Sequence, residues 1–365
     1  MIRILHIVTY MGRGGLETML MNYYRHIDRD KIQFDFLVHR DFEADYDEEI
    51  LSLGGRIYHV SRLIPWSRSY REELKTFFWK HPEYKIVHVH QDCLSSVALQ
   101  CAGECGIPVR IAHSHAASQD KNIKYLIKRH FMKQIPRYAT DLFACSKAAG
   151  DWMFGGSSYH LVKNAVEAEQ FAFDADTAAA VRKEFGLGDN LVAGHIGRFF
   201  PQKNHDYLID IFAACVKIHP DARLLLVGDG ECRPQIEKKV NDLDLEQHVI
   251  FTGIRSDVAR LLQAMDVFLF PSIYEGLPVT MVEAQAAGVP CVVSDAVTAE
   301  SRITEGLVEV CSLQDSPDIW ARAALKQAVR GHEDHLAEIK EAGYDVSEAA
   351  GRLQNFYLQK TESFS

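Results

Sequence analysis

The sequence predicts an α/β protein built from two doubly wound parallel sheets. Short apolar runs alternate with helix-length amphipathic segments along most of the chain, which is typical of parallel strands covered by helices on both faces. This alternation weakens over residues 171–189 and then starts again. A chain of 365 residues also exceeds what one hydrophobic core usually holds. We therefore expect two domains, with their boundary near residues 165–190.

The first half contains seven apolar runs that are predicted as strands. They are Arg3–Val8, Phe34–His39, Arg56–Val60, Ile86–His90, Val109–His113, Leu142–Ser146 and His160–Asn164. Amphipathic stretches such as Leu16–Ile27, Leu94–Gly106 and Asn122–Pro136 lie between them and are predicted as helices.

The second half contains six further apolar runs that are predicted as strands. They are Leu191–Gly197, Arg223–Asp229, Val249–Gly253, Val267–Ser272, Cys291–Asp295 and Leu307–Cys311. From Ser316 onward the pattern predicts helices. In doubly wound sheets ligands bind beyond the carboxyl ends of the strands, so the loops that follow strands are the places to look for chemistry.

The composition excludes several classes of protein. With 47% hydrophobic and 25% charged residues, the chain is neither disordered nor collagen-like. Its apolar runs are far shorter than the ~20 residues of a membrane-spanning helix, and the first run is too short for a secretory signal. The eight cysteines form no Cys-x-x-Cys pair, which favours reduced, mostly buried thiols in a cytoplasmic protein.

The charge is distributed unevenly between the two halves. Residues 1–165 carry 22 basic and 18 acidic side chains, whereas residues 166–365 carry 18 basic and 32 acidic ones. The net charge of −10 and the lack of a strongly basic domain argue against nucleic acid as the main partner.

A glycine-rich loop, Gly12–Glu17, follows the first strand. Glycines allow close approach of a ligand, and the N-terminus of the next helix offers amide groups to an anion. A dinucleotide fingerprint would need glycine where the chain has Glu17, and an acidic residue where the second strand ends in Val38-His39. Nicotinamide and flavin cofactors are therefore discounted, and a plain tight turn remains an alternative to an anion site.

Two loops in the second half carry candidate binding residues. The loop 197–205 brings Arg198 and Lys203 between a strand and a helix, a pair suited to a diphosphate or, alternatively, a solvated surface pair. In the loop 271–279, Glu275 follows a strand, and Glu283 lies on the helix that begins near Pro278. Carboxylates accept hydrogen bonds from sugar hydroxyls.

Two histidines at the end of a first-half strand are further candidates. His113 or His115 is suited to hydrogen-bonding a ligand hydroxyl, although a role as a bystander is equally open among 17 histidines. A zinc site is disfavoured there, because no third ligand follows at a suitable spacing. Four Asp-x-Asp pairs do not directly follow strands and are interpreted as structural, with Asp174 and Asp176 predicted to cap a helix.

Several motifs in one order resemble the retaining family-4 glycosyltransferases of GT-B architecture, most closely the branch that assembles bacterial capsular or exopolysaccharide repeat units. The matching segments are Gly14-Gly15-Leu16-Glu17, His113-Ser114-His115, Cys145-Ser146-Lys147, Asn164-Ala165-Val166, Gly197-Arg198-Phe199 with Lys203-Asn204, Val227-Gly228-Asp229-Gly230, Phe251-Thr252-Gly253, and Ser272 through Glu283 to Gly288-Val289-Pro290. Ala165 departs from the glycine that is common there, which leaves the hinge uncertain.

The resemblance implies two Rossmann-like domains facing a cleft, an acceptor-side domain over 1–170 and a nucleotide-sugar-binding domain over 171–345, with 346–365 packing back on the first. It implies that Arg198 and Lys203 bind the diphosphate in place of a metal, so that no metal or other cofactor is expected. Glu275 would bind the donor sugar and Glu283 the ribose.

The resemblance also assigns neighbouring groups to the donor and to catalysis. Gly276, Leu277, Pro278 and Val279 would pass beside the sugar and phosphates, Gly14 and Gly15 would meet the phosphate or acceptor, and Ile254 and Arg255 would lie by the base. His113 would approach the transferred sugar, with His115 the less favoured candidate. The implied reaction retains the anomeric configuration without a covalent nucleophile, and a UDP-sugar is favoured over a GDP-sugar as donor.

A basic stretch without acidic residues is the candidate for the acceptor side. Its cations are interleaved with apolar residues, which fits either an ordinary amphipathic helix or docking to an anionic membrane that carries a lipid-linked saccharide acceptor. Trp66 is a second candidate for the membrane interface. The basic residues of the stretch are Lys121, Lys124, Lys128, Arg129, Lys133 and Arg137. A peripheral position at the membrane would follow from the docking alternative.

Two alternatives to sugar transfer stay open at this point. A UDP-sugar epimerase of similar fold would need general acid and base groups at the sugar ring, and the Glu275-Gly276-Leu277-Pro278 loop favours transfer instead. A non-catalytic nucleotide-sugar sensor would not need the full set of Arg198, Lys203, Glu275 and Glu283.

Overall fold

The chain folds into two compact α/β units. The computed structural model describes residues 1–116 and 123–362, with the side chains of residues 123–125 left out of the description. One unit comprises Met1–Ala165 together with Val346–Ser365, and the other comprises Val166–Asp345. The predicted bounds are residues 1–170 with 346–365 for the first domain and residues 171–345 for the second.

The first unit contains a seven-stranded sheet in which every pair of neighbours is parallel. The order is β3-β2-β1-β4-β5-β6-β7, so the direction of winding reverses between β1 and β4. The strands are β1 (Ile2–Ile7), β2 (Ile32–Val38), β3 (Ile57–His59), β4 (Ile86–Val89), β5 (Val109–Ser114), β6 (Asp141–Ala144) and β7 (His160–Leu161).

Helices cover both faces of this sheet. One face packs against α1 and α15, and the other packs against α3 and α4, which gives the unit two apolar cores. The helices are α1 (Gly15–His26), α2 (Asp47–Ser52), α3 (Arg68–Lys80), α4 (Ser95–Glu104), α5 (Ile123–Met132), α6 (Ile135–Tyr138), α7 (Lys147–Phe154) and α15 (Val346–Glu362).

Helix α15 comes from the far end of the chain and completes the first core. Ala350 and Tyr357 are fully buried there, together with Phe34 and Phe36 of β2. The Tyr357 hydroxyl also lies 2.7 Å from Nδ1 of the buried His88. Apolar and polar contacts therefore both tie this helix to the sheet.

The second unit contains a six-stranded parallel sheet of the order β10-β9-β8-β11-β12-β13. Its strands are β8 (Val192–Ile196), β9 (Arg223–Val227), β10 (Val249–Gly253), β11 (Val267–Phe270), β12 (Cys291–Ser294) and β13 (Val308–Cys311). Its helices are α8 (Ala175–Glu184), α9 (His205–Ile218), α10 (Arg233–Asp242), α11 (Val258–Leu262), α12 (Val279–Ala286), α13 (Pro317–Ala328) and α14 (Leu336–Glu341).

The structure confirms the α/β prediction with two parallel sheets. Each of the thirteen predicted runs overlaps one strand of the described sheets. Asp174 caps α8 as expected, because its Oδ1 accepts a hydrogen bond from the Thr177 amide. The expected single helix over residues 122–136 is instead two helices, and α6 begins with Pro136 in its first turn.

Two further expectations concern the cysteines and the membrane. All eight cysteines lie among the described residues and form no disulfide bond, and six of them are buried. Within the described part of the chain, no helix combines the length and the apolar content that crossing a bilayer requires.

Candidate functional site

The winding of the second sheet reverses between β8 and β11, and two candidate loops follow these strands. Reversal points at the carboxyl edge of a parallel sheet are the usual ligand sites of doubly wound folds. The β8 loop, residues 197–204, carries Arg198 and Lys203. The β11 loop, residues 271–278, carries Glu275. The topology therefore brings the predicted cations and carboxylate to one edge of the sheet.

The β8 loop is fixed by its neighbour, the turn that follows β9. The amide of Gly197 donates to the Val227 carbonyl at 3.0 Å, and the amide of Phe199 donates to the Asp229 carbonyl at 3.0 Å. Gly228 has φ +130°, and a Cβ there would lie 2.2 Å from the carbonyl oxygen of Gly197. Only glycine permits this close approach.

The two loops are also hydrogen-bonded to each other. The amide of Ile273 donates to the Gln202 carbonyl at 2.8 Å, and Nε2 of Gln202 donates to the Tyr274 carbonyl at 2.9 Å. Nδ2 of Asn204 donates to the Pro271 carbonyl at 3.1 Å. These bonds hold the loops together as one platform.

Lys203 and Glu275 form an ion pair across this platform. Nζ of Lys203 lies 2.7 Å from Oε1 of Glu275, and the two side chains are 16% and 10% exposed. The ammonium also lies 4.6 Å from the centre of the Phe270 ring, a favourable cation–π distance. Because both side chains are largely shielded from water, loss of either partner would leave the other as an uncompensated, poorly solvated charge.

Arg198 occupies the same loop. Its guanidinium carbon lies 4.3 Å from the centre of the Phe200 ring. Stacking on an aromatic face holds the planar group in place. The β8 loop thus carries two cations of different geometry: the planar, forked guanidinium of Arg198 and the compact ammonium group of Lys203.

Glu283 lies on α12, the helix that follows the β11 loop. It is only 7% exposed. Burial raises the pKa of its carboxyl to about 7, because the charged form loses hydration. Near neutral pH this group is therefore poised between donating and accepting a hydrogen bond.

The other predicted donor residues fall into two places. Gly276, Leu277, Pro278 and Val279 are buried and lead into α12, with Pro278 at its N-cap. Ile254 is 56% exposed after the edge strand β10. Beside it Arg255 is ion-paired with Asp257 and Glu184, whose carboxylates raise the pKa of its guanidinium.

In the first unit, Gly14 and Gly15 mark the start of α1. Gly14 is the N-cap in an extended conformation, and its carbonyl accepts the first helical hydrogen bond from Thr18 at 2.9 Å. Neither glycine has a positive φ. The backbone conformation therefore does not require glycine here, although a Cβ at Gly14 would lie 2.3 Å from a carboxylate oxygen of Glu17.

His113 lies within a buried group of histidines on β5 and on or beside β1 and β4. It is 1% exposed, and its Nδ1 lies 3.1 Å from Nε2 of His88. His115 is partly exposed, and its Nε2 lies 2.9 Å from Nδ1 of His90. Solvent therefore reaches His115 more readily than His113. Burial lowers the pKa of His115 to about 3 and that of His113 well below its usual value.

Three members of this group, His6, His88 and His90, were not predicted as site residues. Zinc was discounted because no third ligand follows His115, whereas the structure brings His90 from just past the end of β4, the preceding strand. The pattern His88-x-His90 and His113-x-His115 signals side chains on one face of two strands. Recognising the cluster required the pairing of the strands.

The predicted basic stretch is only partly described. Lys121 lies outside the described residues, as does the side chain of Lys124. Lys128, Arg129 and Lys133 lie in or just after α5, where Leu126 is 65% exposed. Trp66, just before α3, is 70% exposed.

Matches to known families cover most of both units. Residues 13–170 match the family described as Glycosyltransferase Family 4, and residues 190–328 match the family described as Glycosyl transferases group 1.

Two relatives extend these matches. EpsF of Bacillus subtilis (strain 168), which is provisionally named a glycosyltransferase, is 36% identical to this chain. The match covers 99% of this chain and 97% of EpsF. The UDP-Gal:alpha-D-GlcNAc-diphosphoundecaprenol alpha-1,3-galactosyltransferase of Escherichia coli is 29% identical over 59% of each chain.

Solved structures share the fold over the full length. Anabaena HepE in complex with UDP and glucose has a TM-score of 0.82 and 19% identity, covering 98% of this chain and 99% of that one. Sucrose-phosphate synthase of Thermosynechococcus elongatus has a TM-score of 0.78 and 17% identity, covering 100% of both chains. With the full-length relative and the family matches, this likeness identifies the chain as a family-4 glycosyltransferase of GT-B fold.

Proposed function

We propose that this glycosyltransferase moves a sugar from a UDP-sugar to a lipid-linked saccharide, with retention of anomeric configuration, during assembly of a bacterial surface polysaccharide. The observation that carries the proposal is the Lys203–Glu275 pair, held beside Arg198 at the reversal point of the second sheet. Two cations and a carboxylate at one edge match the charges of a diphosphate and the hydroxyls of a sugar.

In the proposed reaction, Arg198 and Lys203 bind the diphosphate and stabilise the negative charge that develops on it. The bond between the anomeric carbon and the diphosphate oxygen breaks, and its electron pair stays on the diphosphate. The acceptor hydroxyl attacks from the same face, and its proton passes to the leaving diphosphate. This balance needs neither a metal ion nor a covalent enzyme intermediate.

Glu275 has a second task in this proposal. In the structure it bonds to Lys203. When the diphosphate takes over Lys203, the carboxylate of Glu275 becomes available to accept hydrogen bonds from the donor sugar. Glu283, buried on α12, is assigned to the ribose hydroxyls. His113 or the more exposed His115 is assigned to the transferred sugar.

The names of relatives support the choice of donor and acceptor. HepE was crystallised with UDP-glucose, and the E. coli relative is named for UDP-Gal and a diphosphoundecaprenol-linked acceptor. A mycobacterial relative, 33% identical over 39% of this chain, is named as GDP-mannose-dependent. GDP-sugars therefore belong in the test.

The test is a panel of UDP- and GDP-sugars, each with and without a lipid-diphosphate sugar, analysed by mass spectrometry and NMR. We expect one UDP-sugar to give an elongated lipid-linked product with retained configuration, and to do so in the presence of a chelator. An isomerised nucleotide-sugar without transfer would instead identify an epimerase. Donor binding without any product would identify a sensor.

We also propose that α5 contacts an anionic membrane surface. Leu126 and Ile127 are 65% and 41% exposed beside Lys128 and Arg129, the combination that favours interfacial binding. Flotation with anionic vesicles should recover the wild-type protein, and Leu126→Ser with Lys128→Ala should reduce recovery. Leu51→Ser is the matched control, because Leu51 is equally exposed at 58% but lies on the acidic helix α2. No salt-sensitive flotation would contradict the proposal.

A further inference from the structure

Five histidines form one cluster inside the first unit. His6 pairs in register with His88 across β1 and β4, and side chains two residues apart on a strand share a face. The four members His6, His88, His90 and His113 are at most 4% exposed, and His115 is partly exposed. The glycosyl-transfer scheme assigns one of these five, His113 or His115, to the transferred sugar, so an ion held by both residues would compete with that contact.

Hydrogen bonds arrange the cluster as two short chains. In one chain His90 lies between His6 and His115, with nitrogen–nitrogen distances of 3.0 and 2.9 Å. In the other, His88 lies between His113 at 3.1 Å and the Tyr357 hydroxyl at 2.7 Å. Burial lowers the pKa values of all five imidazoles, so they are neutral near pH 7.

The chain through His90 leaves polar capacity unused. A neutral imidazole has one N–H group and one lone pair. Three imidazoles joined by two hydrogen bonds therefore keep one N–H group and one lone pair at the chain ends. Among the described residues, Nε2 of His6 and Nδ1 of His115 have no hydrogen-bond partner. Buried polar atoms without partners are uncommon and point to a missing ligand.

Neutral imidazole nitrogens are preferred ligands of Zn²⁺ and similar ions. Two trios each place one ring nitrogen per residue within 4.8 Å of the others: His6, His88 and His90, and His90, His113 and His115. The first trio is fully buried, whereas the second includes the partly exposed His115. An ion can enter only the second without opening the core.

We propose that His90, His113 and His115 bind one divalent transition-metal ion of the Zn²⁺ class, with His6 and His88 orienting two of the ligands. Ligating imidazoles commonly hold their second nitrogen in a hydrogen bond. His90 does so with His6 through Nε2, and His113 does so with His88 through Nδ1. Three histidines leave a fourth position of a tetrahedral ion to water.

The adjustment required of His90 and His115 is small, and a ring nitrogen of His113 lies within 4.8 Å of a nitrogen of each of them. Nitrogens bound at 2.0–2.1 Å to a tetrahedral ion lie roughly 3.3–3.4 Å apart, and Nδ1 of His90 lies 2.9 Å from Nε2 of His115. A separation of a few tenths of an ångström is within the reach of side-chain rotation. The proton that now joins these nitrogens would leave, and Nε2 of His90 would donate to Nδ1 of His6.

The test uses the full chain and the metal alone, without donor or acceptor. After dialysis against a chelator, titration with Co²⁺ should give the visible absorption of a tetrahedral site and saturate at one ion per chain. Zn²⁺ should displace Co²⁺ and raise the melting temperature by at least about 2 °C at a hundredfold excess over Kd. Absence of both the absorption and the shift would overturn the proposal.

Variants locate the ion. His115→Ala, at the most exposed ligand, should weaken Co²⁺ binding more than tenfold, whereas His130→Ala, an exposed histidine on α5, should leave it unchanged. Equal affinity of His115→Ala and wild type would overturn the site. If His115→Ala is misfolded, the imidazole ¹⁵N chemical shifts of the wild type decide whether the cluster is the site. Zn²⁺ should then shift the resonances of the clustered histidines and leave those of His130 unchanged, and the opposite result would overturn the site. The ligands lie in the first unit and the diphosphate residues in the second, so each proposal can fail separately.

Discussion

Nζ of Lys203 lies 2.7 Å from Oε1 of Glu275, although 72 residues separate them in sequence. The pair joins the two loops that follow β8 and β11, and it lies beside Arg198 in the first of them. Its low exposure means that neither partner is an ordinary surface charge.

We expect Arg198→Ala, Lys203→Ala and Glu275→Ala each to remove most turnover. Loss of one cation should lower kcat/KM by about 10²–10³-fold, because the leaving diphosphate loses a preorganised charge. Steady-state kinetics with the donor identified by the panel measure this. Lys326→Ala is the control, since Lys326 is 72% exposed and pairs with Glu309 at the surface. Near-normal activity of all three site variants would remove the assignment.

The buried carboxyl of Glu283 should make stability depend on pH. Its pKa rises from 4.5 to about 7 on folding, so the folded state binds its proton more tightly than the unfolded state. Below pH 4.5 both states are protonated and burial costs nothing. Between pH 4.5 and about 7 the unfolded state ionises while the folded state keeps its proton, so the wild type progressively loses up to about 3 kcal/mol relative to Glu283→Gln, and the loss is constant above this range.

Denaturant unfolding of both proteins at pH 5 and pH 8 measures this difference. Glu246→Gln, on an exposed loop, controls for the loss of one negative charge. A difference between wild type and Glu283→Gln that stays constant with pH would show that Glu283 is not desolvated.

Substitution of Gly228 should displace the β8 loop. Alanine at Gly228 would be strained by the φ of +130° and would collide with the Gly197 carbonyl oxygen. At Gly186, φ is +63° but a Cβ would meet no atom within 4 Å. We expect Gly186→Ala to cost about 1 kcal/mol from strain alone. Gly228→Ala should cost more and reduce transfer, and equal effects of the two variants on activity would contradict this account.

A buried ion pair ties β1 to β2 in the first unit. Asp35 is fully buried and accepts hydrogen bonds from Nη2 of Arg3 at 2.6 Å and from the Tyr84 hydroxyl at 2.7 Å. Asp35→Asn leaves Arg3 without its counter-ion and should destabilise the protein by about 3–5 kcal/mol. Asp28→Asn, which breaks an exposed pair with Lys31, should cost less than about 1 kcal/mol. Thermal unfolding monitored by circular dichroism compares them.

The fold could be predicted from the sequence because buried parallel strands are short, continuous apolar runs. All thirteen runs from Arg3–Val8 to Leu307–Cys311 overlap a strand. The Lys203 and Glu275 loops were identified because each follows such a run. Their direct contact could not be predicted, since it depends on β8 and β11 being neighbours despite two intervening strands.

The histidine cluster could not be predicted from the sequence alone. Its members lie on or just past β1, β4 and β5, and which of them face one another depends on strand order and register. The burial of Glu283 depends similarly on how α12 packs. The cap of Asp174, by contrast, involves residues three apart and was predictable locally.

Helix α15 has a consequence for how the protein is made. The ribosome produces the sheet of the first unit early, but Ala350 and Tyr357, which fill its core, emerge only after the whole of the second unit. The later Val166–Asp345 unit has all of its own residues by then. Nascent chains must therefore keep an open apolar face on the first unit until α15 has emerged, and a premature stop after Asp345 would release a product whose second unit is complete and whose first unit is not.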